Sequence, residues 1–417
     1  MKNNLLLISI ILSLAAAFIL NSTIIMVLSM VLIYGAIIFK SFNEGLNYVF
    51  MLMPLAGIYD DLGFKYLFNI SIGVLFIRLI IESIIYKKTI INKITICFII
   101  LIVWDFIMTI ASGLTNVNFM TNVSLCCSWI IFSLIIFKDD LDLNKILKYL
   151  VIGYFLSCFL GMCHVLDTWG FNIPENYRFV GLTRDANYFA TYSLIIIFAS
   201  KKLIVRLVCI VLGLFSTSKM FLLLLLLGLV LTFMYKLIAA IKLNKRFNFE
   251  KIKIPMLICI ICLILSIVSG LLAMIVDKYI YRFLEYDLTT GRAEIQAEYF
   301  TQFISNPISF IFGRGLSYRW YYDVPFSIET NIIAHNTYLD ILLSYGILGI
   351  GIFIYIVYKI VKAYKSENSK ASVLLFIFAL LLFALSFLSA DLFVFLLFIV
   401  ILSFKQRNNV DDITLEG

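Results

Sequence analysis

Charge is scarce in this chain. Asp, Glu, Lys and Arg make up 14% of its 417 residues, against 63% hydrophobic residues, and the mean hydropathy is +1.04. A soluble fold of this size needs far more polar surface, so that class is excluded. Within lipid, only α-helices and closed barrels satisfy every backbone N–H and C=O. Barrel strands alternate polar and apolar residues, and the apolar runs here do not. Histidine is scarcer still, with two residues, and the eight Cys all lie in apolar runs. Neither type shows metal-ligand spacing, so no metal site is expected. Cys259 and Cys262 have redox spacing but sit inside an apolar run, where a small buried side chain is the plainer reading. A P-loop, a dinucleotide fingerprint and a nucleophile elbow are also missing.

What is present is a series of apolar runs. At about 20 residues per crossing they mark about fourteen membrane spans: 5–20, 22–39, 46–59, 66–86, 94–112, 121–137, 145–166, 185–200, 203–217, 220–241, 253–276, 337–361, 372–388 and 389–404. The basic residues test this assignment. With the N-terminus inside, the cytoplasmic segments and their flanks hold Lys2, Lys40 and the groups Lys87–Lys93, Lys138–Lys148, Lys201–Arg206, Lys236–Lys253, Lys359–Lys370 and Lys405–Arg407. Every second connection is basic, as the positive-inside rule requires. The net charge of +8 therefore reflects topology and gives no reason to expect nucleic acid as a partner. The first apolar stretch, with Ala15-Ala16-Ala17, has the look of a signal peptide, but a second run follows at once and favours a retained span. The chain reads as an all-α polytopic integral membrane protein, a single domain over 1–417 with both termini cytoplasmic. Two larger extracytoplasmic loops, 167–184 and 277–336, complete it.

The basic residues that break the rule are mostly arginines. Arg178, Arg184, Arg282, Arg292, Arg314 and Arg319 fall outside, with Lys65, Lys219 and Lys278. Topology does not choose Arg over Lys; planar, bidentate recognition of phosphate does. The competing reading is ordinary loop salt bridges to Asp185, Glu285, Asp287, Glu294, Asp323 or Glu329. In the first loop, Gly181 allows a tight turn between Arg178 and Arg184, and Asp185 or Asn187 caps the helix that follows. Free amides and the helix dipole there would add to the guanidiniums. In the second, Thr289-Thr290-Gly291-Arg292 opens an amphipathic helix near 292–305. It groups Ala297, Phe300 and Ile304 on one face and Glu294, Glu298 and Gln302 on another, and Asn306-Pro307 ends it. Gly313-Arg314-Gly315 is a flexible turn that could bring backbone amides near a phosphate.

His335 stands in Ala334-His335-Asn336-Thr337-Tyr338-Leu339, at the external start of span 337–361, with Gly346, Gly349 and Gly351 further along. A helix N-terminus disfavours imidazolium, so a neutral base suits the position. A lone His at a helix cap is commonly structural; the Arg-rich loop beside it argues the other way. The three glycines allow close helix packing. His164 lacks such a neighbourhood and reads as structural. Lys219 either snorkels or faces the same anion. Arg78 reads as snorkelling from the inner part of its span, although Glu82 is within pairing reach. Asp105 is an intramembrane carboxylate with no partner nameable from sequence.

Taken in order, these landmarks resemble the O-antigen polymerase and O-antigen ligase superfamily of bacterial envelope glycosyltransferases. They are Arg178-x-x-Gly181 with Asn187, Ser218-Lys219 before an apolar helix, Thr290-Gly291-Arg292, Gly313-x-Gly315, and His335-Asn336 followed by Gly346 and Gly349. Where that family usually has Ser-Arg, this chain has Ser218-Lys219, a point charge in place of a fork. The resemblance implies a GT-C-like fold in the bacterial cytoplasmic (inner) membrane, with its site on the outer face. It implies an undecaprenyl-pyrophosphate-linked oligosaccharide as donor, a sugar hydroxyl as acceptor and inversion on transfer; a nucleotide sugar is not expected. On this reading His335 is the base and Arg292 the leading pyrophosphate contact, with Arg178, Arg184, Arg282, Arg314, Arg319 and Lys219 in support. No cofactor is implied, since the arginines carry the charge. Membrane lipid and a chain-length regulator are further candidate partners. Polymerisation of O-antigen, capsular or exopolysaccharide repeat units is the first reading, because no distinct acceptor-binding domain is visible. A ligase that attaches glycan to lipid A core or another acceptor is the second. A flippase or transporter is the third, disfavoured by the lack of an internal repeat and by charges that cluster in loops rather than at mid-membrane.

Overall fold

The computed structural model describes residues 2–55, 67–87, 93–111, 127–128, 131, 141–163, 171–172, 178–183, 185–242, 276–281, 284, 292–315, 318, 334–363 and 369–385. Short polar side chains start many of the helices. Helix α1 (Lys2–Ile19) ends at a turn where Asn21 is left-handed, and Ser22 Oγ accepts the Ile25 N–H at 3.4 Å to open α2 (Thr23–Phe39). Ser41 and Glu44 have capping-box spacing, and the Ser41 hydroxyl accepts the Glu44 N–H at the start of α3 (Phe42–Leu52). A 3₁₀ turn, Met53–Leu55, follows. Next come α4 (Leu67–Ile85), α5 (Lys93–Ala111) and α6 (Leu143–Met162), the last capped by Asp142. Strands β1 (Phe171–Asn172) and β2 (Arg178–Phe179) pair antiparallel, Phe171 opposite Phe179, where the sequence led us to expect only a loop. Then follow α7 (Ala186–Ala199), α8 (Leu203–Phe215), α9 (Lys219–Lys242), α10 (Arg292–Ser305), α11 (Pro307–Phe312), α12 (Thr337–Ala363) and α13 (Ser369–Ala384).

Helix α3 is the centre of the first half. It packs against α2, α4 and α6, and every residue from Gly45 to Leu52 is buried. Helix α7 plays that part in the second half, against α6, α8, α9 and α13. Large apolar side chains such as Ile24, Val31, Phe39, Ile110, Ile204 and Leu223 stand exposed on the outer helices. Such a surface suits lipid as the solvent. The protein is an all-α membrane protein.

The expected count of about fourteen spans is only partly matched. Among the described residues, 3 helices are long and apolar enough to cross a membrane: Leu67–Tyr86, Leu143–Met162 and Thr337–Lys359. Leu5–Ile19, Thr23–Phe39, Ala186–Ala199, Leu203–Phe215, Lys219–Tyr235 and Ser372–Phe383 are apolar but shorter. The run at 46–59 is not one helix: α3 starts at Phe42, has 11 residues and gives way to the 3₁₀ turn. Its apolar character reports burial in protein, which sequence alone cannot tell from burial in lipid. The runs at 121–137, 253–276 and 389–404 lie wholly or largely outside the described residues.

Two further expectations change. Arg78 does not reach alone to the interface. It pairs with Glu82 at 3.1 Å, and Glu82 Oε1 also accepts the Phe42 N–H at 2.6 Å, so one carboxylate holds the guanidinium and caps α3. On α10 the buried residues are Tyr299 and Phe303, whereas Phe300 and Ile304 are exposed. The predicted helix is present, but the face that packs is one residue round from the expected stripe.

Helix α12 is broken. Gly346 has φ 61° and ψ −169°, and the turn after α11 docks there: the Arg314 N–H donates to Leu343 O and the Gly315 N–H to Ser344 O, both at 2.8 Å. The Gly313-Arg314-Gly315 amides at 314 and 315 are thus committed to α12. Trp104 of α5 fastens the same junction, its Nε1 donating to Phe312 O at 2.7 Å. A Cβ at Gly346 would fall 2.3 Å from Ile311 O, while one at Gly351 would meet nothing within 4 Å. Gly346→Ala should therefore cost about 2 kcal/mol or more, from the clash and the disfavoured φ together. Thermal unfolding in detergent should show a clear drop for Gly346→Ala and none for Gly351→Ala.

Candidate functional site

The N-terminus of α7 is the hub of the site. Gly181, with φ 54°, turns the chain over α6, where the Leu182 N–H donates to Ser157 Oγ at 2.8 Å. Asp185 then caps α7 through Oδ1, which accepts the Asn187 N–H at 2.5 Å and the Tyr188 N–H at 3.4 Å. Asn187 Oδ1 accepts from Arg178 at 3.3 Å and from Ser218 Oγ at 2.8 Å. Arg178 Nε also donates to Ser216 O at 3.1 Å. Arg178 and the turn before Lys219, the first residue of α9, are thereby tied to the first turn of α7.

A second N-terminus faces it. Asn336 caps α12, its Oδ1 accepting the Tyr338 and Leu339 N–H groups at 3.0 and 3.2 Å. His335 precedes that cap with φ 53°, in the left-handed region that costs a non-glycine residue about 1–2 kcal/mol. Next to it lies a small core of Tyr299, Phe303, Tyr318, Ala334 and Leu343, separate from the main one. That core packs α10 against α12 and brings in a third N-terminus, because α10 begins at Arg292.

The three ends lie within electrostatic reach of one another. Burial, first, and then the Arg292 guanidinium push the His335 imidazolium down to about 4, against an opposing pull from Asp185. Burial also works against the charge on Arg292, while Asp185 and Tyr188 support it. Tyr188, on α7, is coupled to Asp185, Asp340 and Arg292. His335, Arg292, Asp185, Tyr188 and Asp340 therefore form one cluster. A half-buried neutral imidazole beside a guanidinium can accept a proton while the guanidinium holds an anion.

Of the residues singled out from sequence, His335 and Arg292 lie within electrostatic reach of each other. Arg178 and Lys219 flank it through the first turn of α7. Arg314 is buried, with Nε donating to Ser309 Oγ at 2.6 Å, and serves the junction of α11 with α12. Arg184, Arg282, Arg319 and His164 lie outside the described residues.

Residues 188–354 match the O-antigen ligase family. The match begins at Tyr188 and runs into α12 beyond Gly346, so it contains Lys219, Arg292, Arg314 and His335. It leaves Arg178 and Asp185 upstream. No curated protein matches the chain. The family's members are glycosyltransferase-like enzymes of ligase or polymerase type, acting on lipid-linked glycans in the membrane.

Sequence reasoning treated Asp185 only as a cap or a salt-bridge partner, and missed Tyr188 and Asp340. Tyr188 stands three residues after the Asp185 cap, in the first turn of α7, and that spacing is the one signal that could have found it. Asp340 sits in the first turn of an apolar helix, five residues past His335, and a lone carboxylate in that apolar run was the clue available.

The neutral imidazole is directly testable. With two His in the chain, selective ¹⁵N-histidine labelling gives two imidazole signals, assigned with His335→Ala. The His335 signal should titrate near 4 rather than near the ordinary 6.5. Arg292→Gln removes a like charge and should raise that midpoint; Asp185→Asn should lower it further.

Proposed function

We propose that this protein is a polymerase of lipid-linked oligosaccharide repeat units. It acts on the outer face of the bacterial cytoplasmic membrane, in a GT-C-like domain with both termini cytoplasmic. The growing glycan moves from undecaprenyl pyrophosphate to the next lipid-linked unit. What carries this reading is His335, a neutral imidazole just ahead of the α12 cap, within electrostatic reach of Arg292, which opens α10, and of Asp185, which caps α7.

The chemistry follows from those groups. The acceptor hydroxyl attacks the anomeric carbon from the face opposite the pyrophosphate, and the configuration inverts. Its proton passes to the His335 imidazole. The electron pair of the breaking C–O bond goes to the pyrophosphate oxygen. Arg292 and the helix dipoles are placed to stabilise that new charge, which is larger in the transition state than in the bound donor. Arg178, Lys219 and Arg314 support the site from its margins, and Arg184, Arg282 and Arg319 are further candidates for the anion. The description of the matched family favours a second reading, a ligase that passes finished glycan to lipid A core or another acceptor.

The test is the envelope glycan of a strain lacking the native gene and complemented with variants. Wild type should give a ladder. His335→Ala, at equal protein level, should leave single repeat units. Arg292→Ala should lower turnover by about 10²–10³-fold, the scale for losing one charge-stabilising donor, and Arg292→Lys should recover only part of it. A normal ladder from His335→Ala removes His335 from the chemistry. Unattached long chains in the mutant make the protein a ligase.

A further inference from the structure

Ala334 is fully buried directly before His335, and both of its backbone groups end on side chains. Its N–H donates to Tyr318 OH at 3.4 Å, and its C=O accepts from Gln296 Nε2 at 3.1 Å. Tyr318 OH in turn donates to Asp340 Oδ1. The three side chains come from α10, from the segment after α11 and from the start of α12, so no local sequence rule produces the arrangement. Burial and the Asp340 carboxylate hold the Tyr318 proton on its oxygen well above the ordinary tyrosine range. The hydroxyl is thus a fixed donor to Asp340 and turns a lone pair to the Ala334 N–H. A non-glycine residue such as His335 stays left-handed only where its surroundings over-determine it.

We infer that Tyr318, Gln296 and Asp340 are positioning residues that clamp the Ala334 backbone on both sides, through its N–H and its C=O, and so set where the imidazole of His335 stands relative to Arg292 and Asp185. The inference rests on the reading of His335 as proton acceptor. The clamp can be opened without emptying the core, because the Tyr318 ring packs edge-on against Tyr299 at 5.5 Å and Tyr318→Phe keeps that ring.

The experiment uses the full chain in lipid nanodiscs, with lipid-linked repeat units extracted from a strain lacking the gene as donor and acceptor. Tyr318→Phe should lower kcat by about tenfold to a hundredfold with little change in KM, as misplacement of a reacting group does. Gln296→Leu should show a smaller loss of the same kind. Asp340→Asn keeps an oxygen for Tyr318 and should retain more turnover than Asp340→Ala. The deciding variant is Tyr318→Phe combined with His335→Ala. If Tyr318 acts through His335, the double variant is no slower than His335→Ala alone. The ¹⁵N-histidine titration gives a readout independent of turnover. Tyr318→Phe should move the His335 midpoint up from about 4 as the loosened imidazole gains water, while the charges that act on it, Arg292 from α10 and Asp185 ahead of α7, are unchanged. Wild-type kcat in Tyr318→Phe, with His335→Ala slow, overturns the clamp and leaves the proton acceptor standing. Multiplied losses in the double variant also overturn it. Wild-type turnover in His335→Ala overturns the functional reading instead, and the titration then decides the clamp by itself.

Discussion

A backbone group in lipid has no water to turn to, and that constraint organises this structure. Each unsatisfied N–H or C=O costs several kcal/mol in hydrocarbon, so an irregular backbone at membrane depth survives only when protein covers it. Helix α12 carries such an irregularity at Gly346. The break is tolerable because the turn after α11 donates its amides to the carbonyls at 343 and 344 and because Trp104 holds the same turn from α5. The turn Gly313-Arg314-Gly315 is therefore bolted to a membrane helix by backbone hydrogen bonds.

The same constraint explains why polar chemistry gathers at helix starts. A helix N-terminus needs acceptors for its first amides, and here Ser22, Ser41, Asp142, Asp185, Asn306 and Asn336 supply them. Most of these caps only begin a helix. Asp185 does more, since its carboxylate caps α7 and also acts on Arg292 and His335. Asn187, one residue into α7, gathers Arg178 and Ser218. Two adjacent turns of chain thus link β2 and the start of α9 by hydrogen bonds, and the starts of α10 and α12 by charge.

Much of this was legible from sequence, for identifiable reasons. Apolar runs locate helices because their backbone has no alternative in lipid. The six arginines stood out because they fall where the expected positive-inside topology leaves basic residues improbable, and His335 because it opens an apolar run beside them. The helix at 292–305 and its end at Asn306-Pro307 follow from local signals that need no tertiary knowledge. What was not legible depends on contacts far apart in the chain. The run at 46–59 could not reveal that α3 is wrapped by protein. The stripe on α10 was misjudged because Phe300 and Tyr299 are equally apolar as letters, and only Tyr318 and Leu343 choose between them. Gly313-Arg314-Gly315 has the look of an anion-binding turn, yet its amides serve a broken helix that no pattern in 337–361 announces.

The position of His335 contains an apparent conflict whose resolution bears on the proposed reaction. A base whose conjugate acid forms only near pH 4 is a weak one, and the free site holds His335 in that state by burial and by the Arg292 charge. On the proposed reading the donor carries a pyrophosphate, whose negative charge would pair with Arg292. That pairing offsets the repulsion that Arg292 exerts on an imidazolium, and the added anion attracts one directly. Donor binding would thereby raise the basicity of His335 when an acceptor hydroxyl needs to lose its proton. Bond breaking leaves still more charge on the pyrophosphate, so the same coupling strengthens towards the transition state. An arginine that merely bound the donor could sit anywhere along the phosphates. On the proposed reading, one that also governs the base has to lie within electrostatic reach of it, as Arg292 does, and the small core that packs α10 against α12 keeps it there.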